Sequence, residues 1–380
     1  MKDTSFFLSR RYWVLYSLLL GGILLLTPLG WGDEPVISSL YDENLYDENT
    51  YVYVGGTGPM NYTSIGTALH DVSPGGSVYI YRGEYQESIR VTNSVVLQGE
   101  NPRETILDGG NNGHVIEIHQ SNVTIQGLTI CNSGSMRAGV FINASHTRLQ
   151  DCILRDHRYG IFAKEKTHNY LGNCTFFNNS NGIFYDLSNN NTIYHCNLTN
   201  NDMGIYFYDN CWNNTITETT FSHNTIGLFL QGFSNSNSIT HCTIDNNNIG
   251  ARLWDVKKNN FYLNTFIENR NHVDSILGDN IWFSVEKINY TLQGLERYGH
   301  VGNYWDDYTG NDIDNDGLGD DYYEVDADDD DRYPIMPIKK KGETPGFGLA
   351  MTIGALVGIS CLSTYRKKNP GHPLVVVKKE

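Results

Sequence analysis

The most concentrated chemical feature of the sequence is an acidic segment between residues 306 and 331. It holds 13 Asp or Glu residues and no Lys or Arg. Within it, "DIDNDGLGDD" (residues 312–321) alternates carboxylates with other residues and has a glycine at its sixth position. A tightly wrapped Ca²⁺ loop needs alternate oxygen ligands and a glycine at that turn. We therefore predict a calcium site whose ligands are Asp312, Asp314, Asp316, Asp320 and the Leu318 carbonyl oxygen.

This loop departs from an EF-hand. Tyr323 occupies the twelfth position, where a bidentate Glu would complete the ion's shell, and no flanking helices are predicted. The pattern is closer to the loops of extracellular calcium modules, for which millimolar affinity suffices. A solvated acidic loop without a bound ion is the alternative.

Isolated charged side chains are the candidates for catalysis. They are the group Arg155–Arg158 and, one strand later, Lys164, Glu165 and Lys166. Hydrolysis of a glycosidic bond requires two facing carboxylates, and no such pair is evident in the sequence. A charged turn is therefore the favoured interpretation, and no catalytic residue is assigned.

Tyrosine and asparagine side chains could bind sugars. Aromatic faces stack on sugar rings and amides hydrogen-bond their edges, and Tyr185, Tyr194, Tyr206 and Tyr208 lie in predicted strands, although some of them must be core. Nine N-x-S/T sequons allow glycosylation outside the cell. Their asparagines are Asn61, Asn122, Asn143, Asn173, Asn178, Asn190, Asn197, Asn213 and Asn289.

A repeat of about 22 residues must position these side chains. Six glycines recur at intervals of 21 to 23 residues, and each is followed by an apolar residue: Gly139, Gly160, Gly182, Gly204, Gly227 and Gly250. Self-similarity at a fixed period indicates stacked units that bury their faces against each other. Each unit contains three short alternating stretches separated by Asn, Asp and Gly turns, and it lacks helical periodicity. We therefore predict an all-β, single-stranded right-handed parallel β-helix over residues 50–275.

The repeat also predicts which residues stack on one another. Eight residues before five of the glycines lie Cys152, Cys174, Cys196, Thr219 and Cys242, which we expect to form one inward-facing row. The sequence has seven cysteines and no C-x-x-C spacing, so the row is expected to hold buried thiols, with disulfides as the alternative. We expect Cys131 to lie outside this row, with Leu128 in its place.

Two further rows follow from the same register. One residue before the cysteine row, and facing outward, we expect Asp151, Asn173, His195, Glu218, His241 and Asn264. His195, Glu218 and His241 could bind copper or zinc, but a solvated strand face is the favoured interpretation. Four residues after the cysteine row, we predict an amide ladder at one turn, formed by Asn178, Asn200, Asn246 and Asn269.

The flanks of the repeat differ from it in composition. Residues 63–72 ("TSIGTALHDV") are predicted to form a short helix, starting at Thr63 or Ser64, that caps the open end of the coil. Residues 276–340 form an irregular acidic β extension, and residues 341–346 a linker.

Both termini carry targeting signals. Basic residues precede an apolar run within residues 1–32, which predicts a signal peptide or an uncleaved anchor. Near the other end, residues 347–365 are apolar and a basic cluster follows at 366–368. This pattern predicts a single transmembrane helix with residues 366–380 in the cytoplasm and the bulk of the chain outside. The net charge of −16 disfavours a nucleic-acid partner.

The chain resembles the NosD-type, pectate-lyase-like right-handed β-helix proteins, a group of carbohydrate-binding and sugar-hydrolysing repeat proteins. The resemblance is carried by "SPGGSVYIYRGEYQESIRV", "NVTIQGLTI" and "GNYWDDYTGNDIDNDGLGDDYYEV". The "PGF" motif before the C-terminal apolar run resembles an archaeal sorting tail. The resemblance implies a membrane-anchored cell-surface protein with a structural role or a role in binding extracellular polysaccharide or envelope proteins. The alternatives are a polysaccharide lyase or epimerase, and a copper-accessory protein.

Overall fold

The computed structural model describes residues 50–292 and 294–337 of the chain. The predicted signal segment, the linker, the apolar segment 347–365 and the basic tail all lie outside these residues. Within the described ranges, no helix combines the length and the apolarity needed to cross a membrane.

The described chain winds into a right-handed parallel β-helix of about ten coils of ~22 residues, which confirms the predicted fold. Each coil contributes one strand to each of three parallel sheets, here called A, B and C, of 11, 10 and 9 strands respectively. Parallel pairing continues past residue 275, because strands at Asp279–Ile281 and Tyr304–Trp305 join sheets A and B.

The strands of sheet A are Tyr51–Val54, Ser77–Ile80, Val96–Gly99, Thr124–Gln126, Arg148–Gln150, Tyr170–Gly172, Thr192–Tyr194, Thr215–Thr217, Ser238–Thr240, Lys257–Tyr262 and Asp279–Ile281. Those of sheet B are Gly83–Gln86, Thr105–Asp108, Thr129–Cys131, Ile153–Arg155, Thr175–Phe177, Asn197–Thr199, Thr220–Ser222, Thr243–Asp245, Thr265–Ile267 and Tyr304–Trp305. Those of sheet C are Ile89–Val91, Ile116–Ile118, Ala138–Ile142, Tyr159–Lys164, Asn181–Asp186, Met203–Phe207, Ile226–Gln231, Ile249–Trp254 and Asn271–Ile276. Two antiparallel pairs lie in the extension, Ile288–Leu292 with Leu295–Gly299 and Tyr323–Glu324 with Asp330–Asp331.

Alternation along the short strands creates the core. Every second side chain points into the coil, and equivalent residues of successive coils stack, as Ile161, Ile183 and Ile205 do in sheet C. All three are fully buried. The repeat glycines are needed because the coils approach closely beside them. A Cβ atom on Gly182, for example, would lie 2.6 Å from the carbonyl oxygen of Gly204.

The predicted cysteine row is confirmed. Cys152, Cys174, Cys196, Thr219 and Cys242 are buried and occupy equivalent positions in successive coils. The cysteines are free thiols. Cys131 pairs with Arg155 in sheet B, so it lies outside the row as expected. Asn264, which we expected in the neighbouring outward row, is instead buried as the next member of the cysteine row. Its Oδ1 accepts a hydrogen bond from Cys242 N at 2.9 Å.

The predicted asparagine ladder is wrong at three of its four positions. Asn178, Asn200 and Asn246 are exposed and adopt the left-handed backbone conformation of the turn. The buried amides come one residue later, and Asn269 ends this ladder. At this turn the first residue adopts the left-handed conformation and is exposed, and the residue after it points into the coil. The ladder members are His157, Asn179, Asn201, Asn224, Asn247 and Asn269.

A second buried ladder, absent from our predictions, runs along the turn between sheets C and A. From Asn191 onward, each asparagine Oδ1 accepts a hydrogen bond from the backbone N–H of the equivalent asparagine in the preceding coil, and Asn169 Oδ1 accepts one from Thr147 N. Its members are Asn169, Asn191, Asn214, Asn237, Asn259 and Asn280. The two ladders satisfy buried backbone groups at the turns, which strand pairing leaves without partners.

Both ends of the coil are covered. The predicted cap is confirmed as helix α1, Ile65–Asp71, whose N-cap Ser64 accepts a hydrogen bond from Thr67 N. At the other end, buried carboxylates of the extension cap the second ladder and the cysteine row, which continues from Asn264 to Asn303. Asp329 accepts hydrogen bonds from Asn280 N, and Asp331 accepts one from Asn303 N at 2.7 Å.

Candidate functional site

The outward face of sheet C carries a continuous row of aromatic rings, which we call the aromatic stripe. Adjacent ring centroids lie 5.4, 5.4, 5.2 and 4.6 Å apart. The row follows from the repeat, since each ring comes two residues after a repeat glycine and points to the side opposite the core. The members of the stripe are Phe141, Phe162, Phe184, Tyr206 and Phe229.

Two exposed aromatic side chains stand beside the stripe. Tyr208 is 45% exposed and Trp254 is 47% exposed. The Tyr208 ring lies 6.1 Å from that of Phe184 and 5.8 Å from that of Tyr206. The stripe, whose first four rings are half-buried and whose Phe229 is buried, thus supports a ring whose surface is open to a ligand. Of the other predicted tyrosines, Tyr194 is exposed on sheet A, whereas Tyr185 is core and stacks on Phe207.

Paired charges bound the stripe. In the coils before Phe141, Arg90 contacts Glu117 at 2.8 Å, and in the coils after Phe229, Arg252 contacts Asp274 at 2.7 Å. In the parallel outward row that includes Tyr208, Lys164 contacts Asp186 at 2.9 Å. Side-chain oxygens also line this face, and the Tyr206 hydroxyl donates to Gln231 Oε1 at 2.5 Å. The face is therefore aromatic along the stripe, with hydrogen-bonding side chains at both ends of the stripe and in the row beside it.

The acidic extension brings together three of the predicted calcium ligands. One carboxylate oxygen from each of Asp312, Asp314 and Asp320 lies within 4.8 Å of the others. Asp312 also accepts hydrogen bonds from Asp316 N and Gly317 N. This arrangement is an acidic site at which a metal ion could bind.

The Asp316 carboxylate is not part of that cluster; its Oδ1 accepts a hydrogen bond from Leu318 N at 2.7 Å. Gly317 has a φ of 90°, which a side chain would strain, so the glycine is required where the loop turns.

A second cluster, which the sequence did not reveal, lies at the end of sheet C. His272 is buried, and its Nε2 lies 2.8 Å from Asp306 Oδ1 and 3.5 Å from Asp307 Oδ1. Asp306 and Asp307 follow His272 by 34 and 35 positions, and no repeat relates them to it. The spacing of the sequence therefore could not predict that they are close together. Together with Tyr323 they line a cavity of about 210 Å³.

The asparagine ladder fixes the tautomer of His272. Asn269 Oδ1 accepts a hydrogen bond from Asn247 Nδ2, and Asn269 Nδ2 donates one to Ile244 O. These two bonds fix the orientation of the Asn269 amide, whose Nδ2 also lies 3.2 Å from His272 Nδ1. His272 Nδ1 must then be an acceptor, and Nε2 carries the proton that it donates to Asp306. A neutral imidazole in this state has no lone pair facing the carboxylates, which disfavours a metal ion there.

The buried carboxylates of Asp329 and Asp331 accept hydrogen bonds from the last residues of the coil. Burial raises the pKa of Asp331 to about 7, and hydrogen bonds from Trp305, Asn303 and Tyr333 offset part of that rise. Burial likewise raises the pKa of Asp329. These two groups are buried and hydrogen-bond to the last residues of the coil, so their role is structural.

The predicted outward histidine row does not gather into a metal site. His195 Nδ1 lies 3.7 Å from Glu218 Oε2. His241 does not join them in any three-ligand group of the described residues. Burial lowers the pKa of His241. The expected strand face is wrong, because these residues lie in the turn between sheets A and B, where they adopt the left-handed backbone conformation. Asn173, Glu218 and His241 are exposed there, as the solvated interpretation requires.

The cysteines are equally unsuited to metal binding. Burial raises the pKa values of Cys211 and Cys242 to about 12, so the thiolate that a metal ion requires is disfavoured. Over residues 50–292 and 294–337, then, no exposed thiol accompanies the histidines. The donors described do not fit a soft copper(I) site.

The candidate catalytic charges are paired as well. Arg155 contacts Asp156 at 2.5 Å, and the Arg158 guanidinium lies over the Tyr159 ring. His157 is buried as the first member of its ladder, where burial lowers its pKa to about 4. Hydrogen bonding to Asp186 raises the pKa of Lys164, which opposes its use as a general base.

Comparison with known proteins identifies the relatives of this chain. The family model described as "Periplasmic copper-binding protein (NosD)" matches residues 72–310, more than half of the chain. Among curated proteins, no sequence matches significantly.

Solved structures similar to the chain include three β-helix enzymes. A pectate lyase is 14% identical with a TM-score of 0.47, over 60% of this chain and 78% of that one. The A-module of a mannuronan C-5 epimerase from Azotobacter vinelandii is 16% identical with a TM-score of 0.42, over 61% and 77%. An alginate lyase from Paenibacillus sp. is 11% identical with a TM-score of 0.41, over 61% and 95%. These likenesses concern the coil architecture alone.

Proposed function

The chain belongs to the NosD family, and from that premise and the geometry of sheet C we propose that it binds glycan chains outside the cytoplasm, along the aromatic stripe. The observation that carries the proposal is the five-ring row with the exposed Tyr208 and Trp254 beside it. Aromatic rings offer the flat apolar surface on which the C–H faces of sugars stack.

The regularity of the stripe favours a polymeric ligand. Its rings recur once per coil, at about the strand spacing of 4.8 Å. A polysaccharide presents equivalent rings at regular intervals, so each sugar can repeat the contact that the previous one makes. The surface of a globular protein partner has no such repetition, which makes it the poorer match.

Glycosylation of the chain itself would leave this face open. Eight of the nine sequon asparagines are exposed, and Asn61 is half-buried. None of the nine belongs to the stripe. Only Asn143 lies in the row beside it, two residues after Phe141. Modified asparagines would therefore surround the coil without covering the rings.

Replacement of the exposed rings tests the proposal. We expect Tyr208→Ala with Trp254→Ala to weaken binding to a polysaccharide, first chosen from a glycan array, by at least about fivefold, because each stacked ring contributes about 0.5–1.5 kcal/mol. Affinity electrophoresis measures the change. Phe177→Ala is the matched control, since Phe177 is 39% exposed on sheet B. Equal loss in the control, or binding unaffected by the double substitution, would refute the stripe as the site.

We also propose that the apolar segment 347–365 attaches the protein to the membrane, with the coil outside. Its length and the basic cluster that follows support this arrangement. Fractionation of cells expressing the full chain and a chain ending at residue 340 checks it. The full chain should sediment with membranes and the shortened chain should not.

We propose a Ca²⁺ ion as the occupant of the acidic loop, where it would stiffen the extension that caps the coil. The support is the cluster of Asp312, Asp314 and Asp320 together with the turn at Gly317. Oxygen-only ligands from carboxylates suit a hard cation and are unattractive to copper(I).

A copper-accessory role is the second candidate, favoured by the family's description. The described donors do not fit a soft copper(I) site, so binding there would need ligands from outside these residues. Competition against a copper(I) chelator, with the full chain and with residues 50–337, separates the two cases. A lyase or epimerase activity is a weaker candidate, because Lys164 and Arg155 are already engaged in ion pairs with Asp186 and Asp156.

A further inference from the structure

We infer, resting on the proposed glycan-binding role, that sheet C selects uncharged polysaccharides and rejects polyuronates. The inference comes from the state of the cations on the face that carries the stripe. The nine strands of sheet C contain three basic side chains, Arg90, Lys164 and Arg252. Each of them contacts a carboxylate of a neighbouring strand at 2.7–2.9 Å.

A polyanion with one carboxylate per sugar needs an accessible cation at regular intervals along its path. The stripe supplies none, because the partners Glu117, Asp186 and Asp274 already neutralise its cations. The charge balance of the face is three positive side chains against these three negative ones. An incoming uronate would lose hydration and gain no free positive partner.

Cations at the margin do not change this balance along the stripe. Arg137 and Arg158 lie in the turns just before two successive strands of sheet C, and the Arg158 guanidinium rests on the Tyr159 ring. In the equivalent turns of the next coils stand uncharged residues and Asp202, and Arg270 lies in the equivalent turn before the last strand of sheet C. These cations therefore border the two ends of the stripe and leave its middle without one. The net charge of −16 adds a general repulsion of anionic chains.

Neutral sugars match the same surface. Their apolar C–H faces can stack on Tyr208 and Trp254, while their hydroxyls reach the paired charges and Gln231 at the sides. An ion pair can both donate to and accept from a hydroxyl without losing its own partner. The chemical class we infer is thus an uncharged, extended polysaccharide of repeating hexose or pentose rings.

The test compares two classes of polymer, neutral and polyuronate, and one pair of charge substitutions. Affinity electrophoresis of the full chain is run in gels containing a neutral β-linked glucan, mannan or xylan, or containing polygalacturonate or alginate. The wild type should be retarded by at least one neutral polymer and by neither polyuronate. Asp186→Asn with Asp274→Asn frees Lys164 and Arg252. This variant should gain polyuronate binding of roughly fivefold per freed cation, lost at high salt.

Controls separate the outcomes. Asp328→Asn removes one negative charge from the exposed extension and should produce no gain. Retained binding of the neutral polymer shows that the double variant is folded. If the wild type prefers a polyuronate and Tyr208→Ala weakens that binding, the selectivity inference is overturned while the glycan-binding role stands. If no polymer of either class retards the wild type, the glycan-binding role fails and the inference fails with it.

Discussion

Replacing Asn201 with Leu tests the account of how the coil is held together. Asn201 Oδ1 accepts hydrogen bonds from Asn179 N at 3.0 Å and from Asn179 Nδ2 at 3.1 Å. Asn201 Nδ2 donates to Phe176 O at 3.1 Å and to Thr199 O at 3.2 Å. Leucine has a similar volume, so the substitution removes these bonds without leaving a large cavity.

The expected cost follows from the groups left without partners. The Asn179 N–H and the Phe176 carbonyl are buried, and each unsatisfied group costs about 1–3 kcal/mol. The predicted destabilisation is therefore about 2–6 kcal/mol. In a solenoid, each coil contacts only its neighbours, so the loss is expected to be local before it is global.

Hydrogen exchange is the suitable assay, because local opening is measured even if unfolding is not two-state. Asn201→Leu should accelerate exchange of the Asn179 amide and of adjacent strands, and lower the thermal midpoint. Asn200→Gly is the matched control, since Asn200 is exposed and in the left-handed conformation that glycine adopts freely. Equal effects of the two substitutions would refute the assignment of the ladder to the inner residue.

Three further predictions concern packing, pH and metal binding. Gly182→Ala should destabilise the coil by about 1–3 kcal/mol, because its Cβ would lie 2.6 Å from a carbonyl oxygen of the next coil; thermal unfolding measures this, and Gly66→Ala inside helix α1 should not destabilise. Burial lowers the pKa of His157 to about 4, so the folded state binds fewer protons than the unfolded state between pH 4 and about 6.5, and stability from this group is lost as pH falls through that window. His157→Asn should keep the ladder and flatten this pH dependence of the thermal midpoint, and an unchanged slope would contradict the argument. Millimolar Ca²⁺ should protect residues 303–335 from proteolysis, and Asp312→Asn with Asp314→Asn should abolish that protection; equal protection by Mg²⁺ would indicate charge screening instead.

The repeat made much of the fold predictable from the sequence. The spacing of the glycines fixes the register, and the register places Cys152, Cys174, Cys196 and Cys242 on one buried row. The same register also predicts the aromatic stripe, because each of its rings follows a repeat glycine by two residues. From the sequence we named tyrosines only and so missed the phenylalanines of the stripe. Tyr185 shows the limit of that focus, since it is core while Tyr206 faces outward.

Errors arose where adjacent residues have the same type. In "NN" pairs such as Asn200–Asn201, composition cannot distinguish the left-handed turn residue from the inward one, so our ladder was displaced by one position. Asn264 was misplaced for a different reason: no repeat glycine marks the coil after Gly250, and that coil follows at 22 residues, with Leu263 in the left-handed position. The cluster of His272 with Asp306 and Asp307 lies where the repeat ends, and its contacts depend on the path of the extension. No periodicity specifies that path.

Hydroxyl-radical footprinting with a bound neutral oligosaccharide tests the central claim most directly. The account predicts that Tyr208 and Trp254 on sheet C become protected, whereas Phe177 on sheet B and Trp212 in the turn between sheets C and A, both exposed, keep their reactivity. Protection of Phe177 or Trp212 without protection of Tyr208 and Trp254 would place the ligand on another face and contradict the assignment of the aromatic stripe as the binding surface.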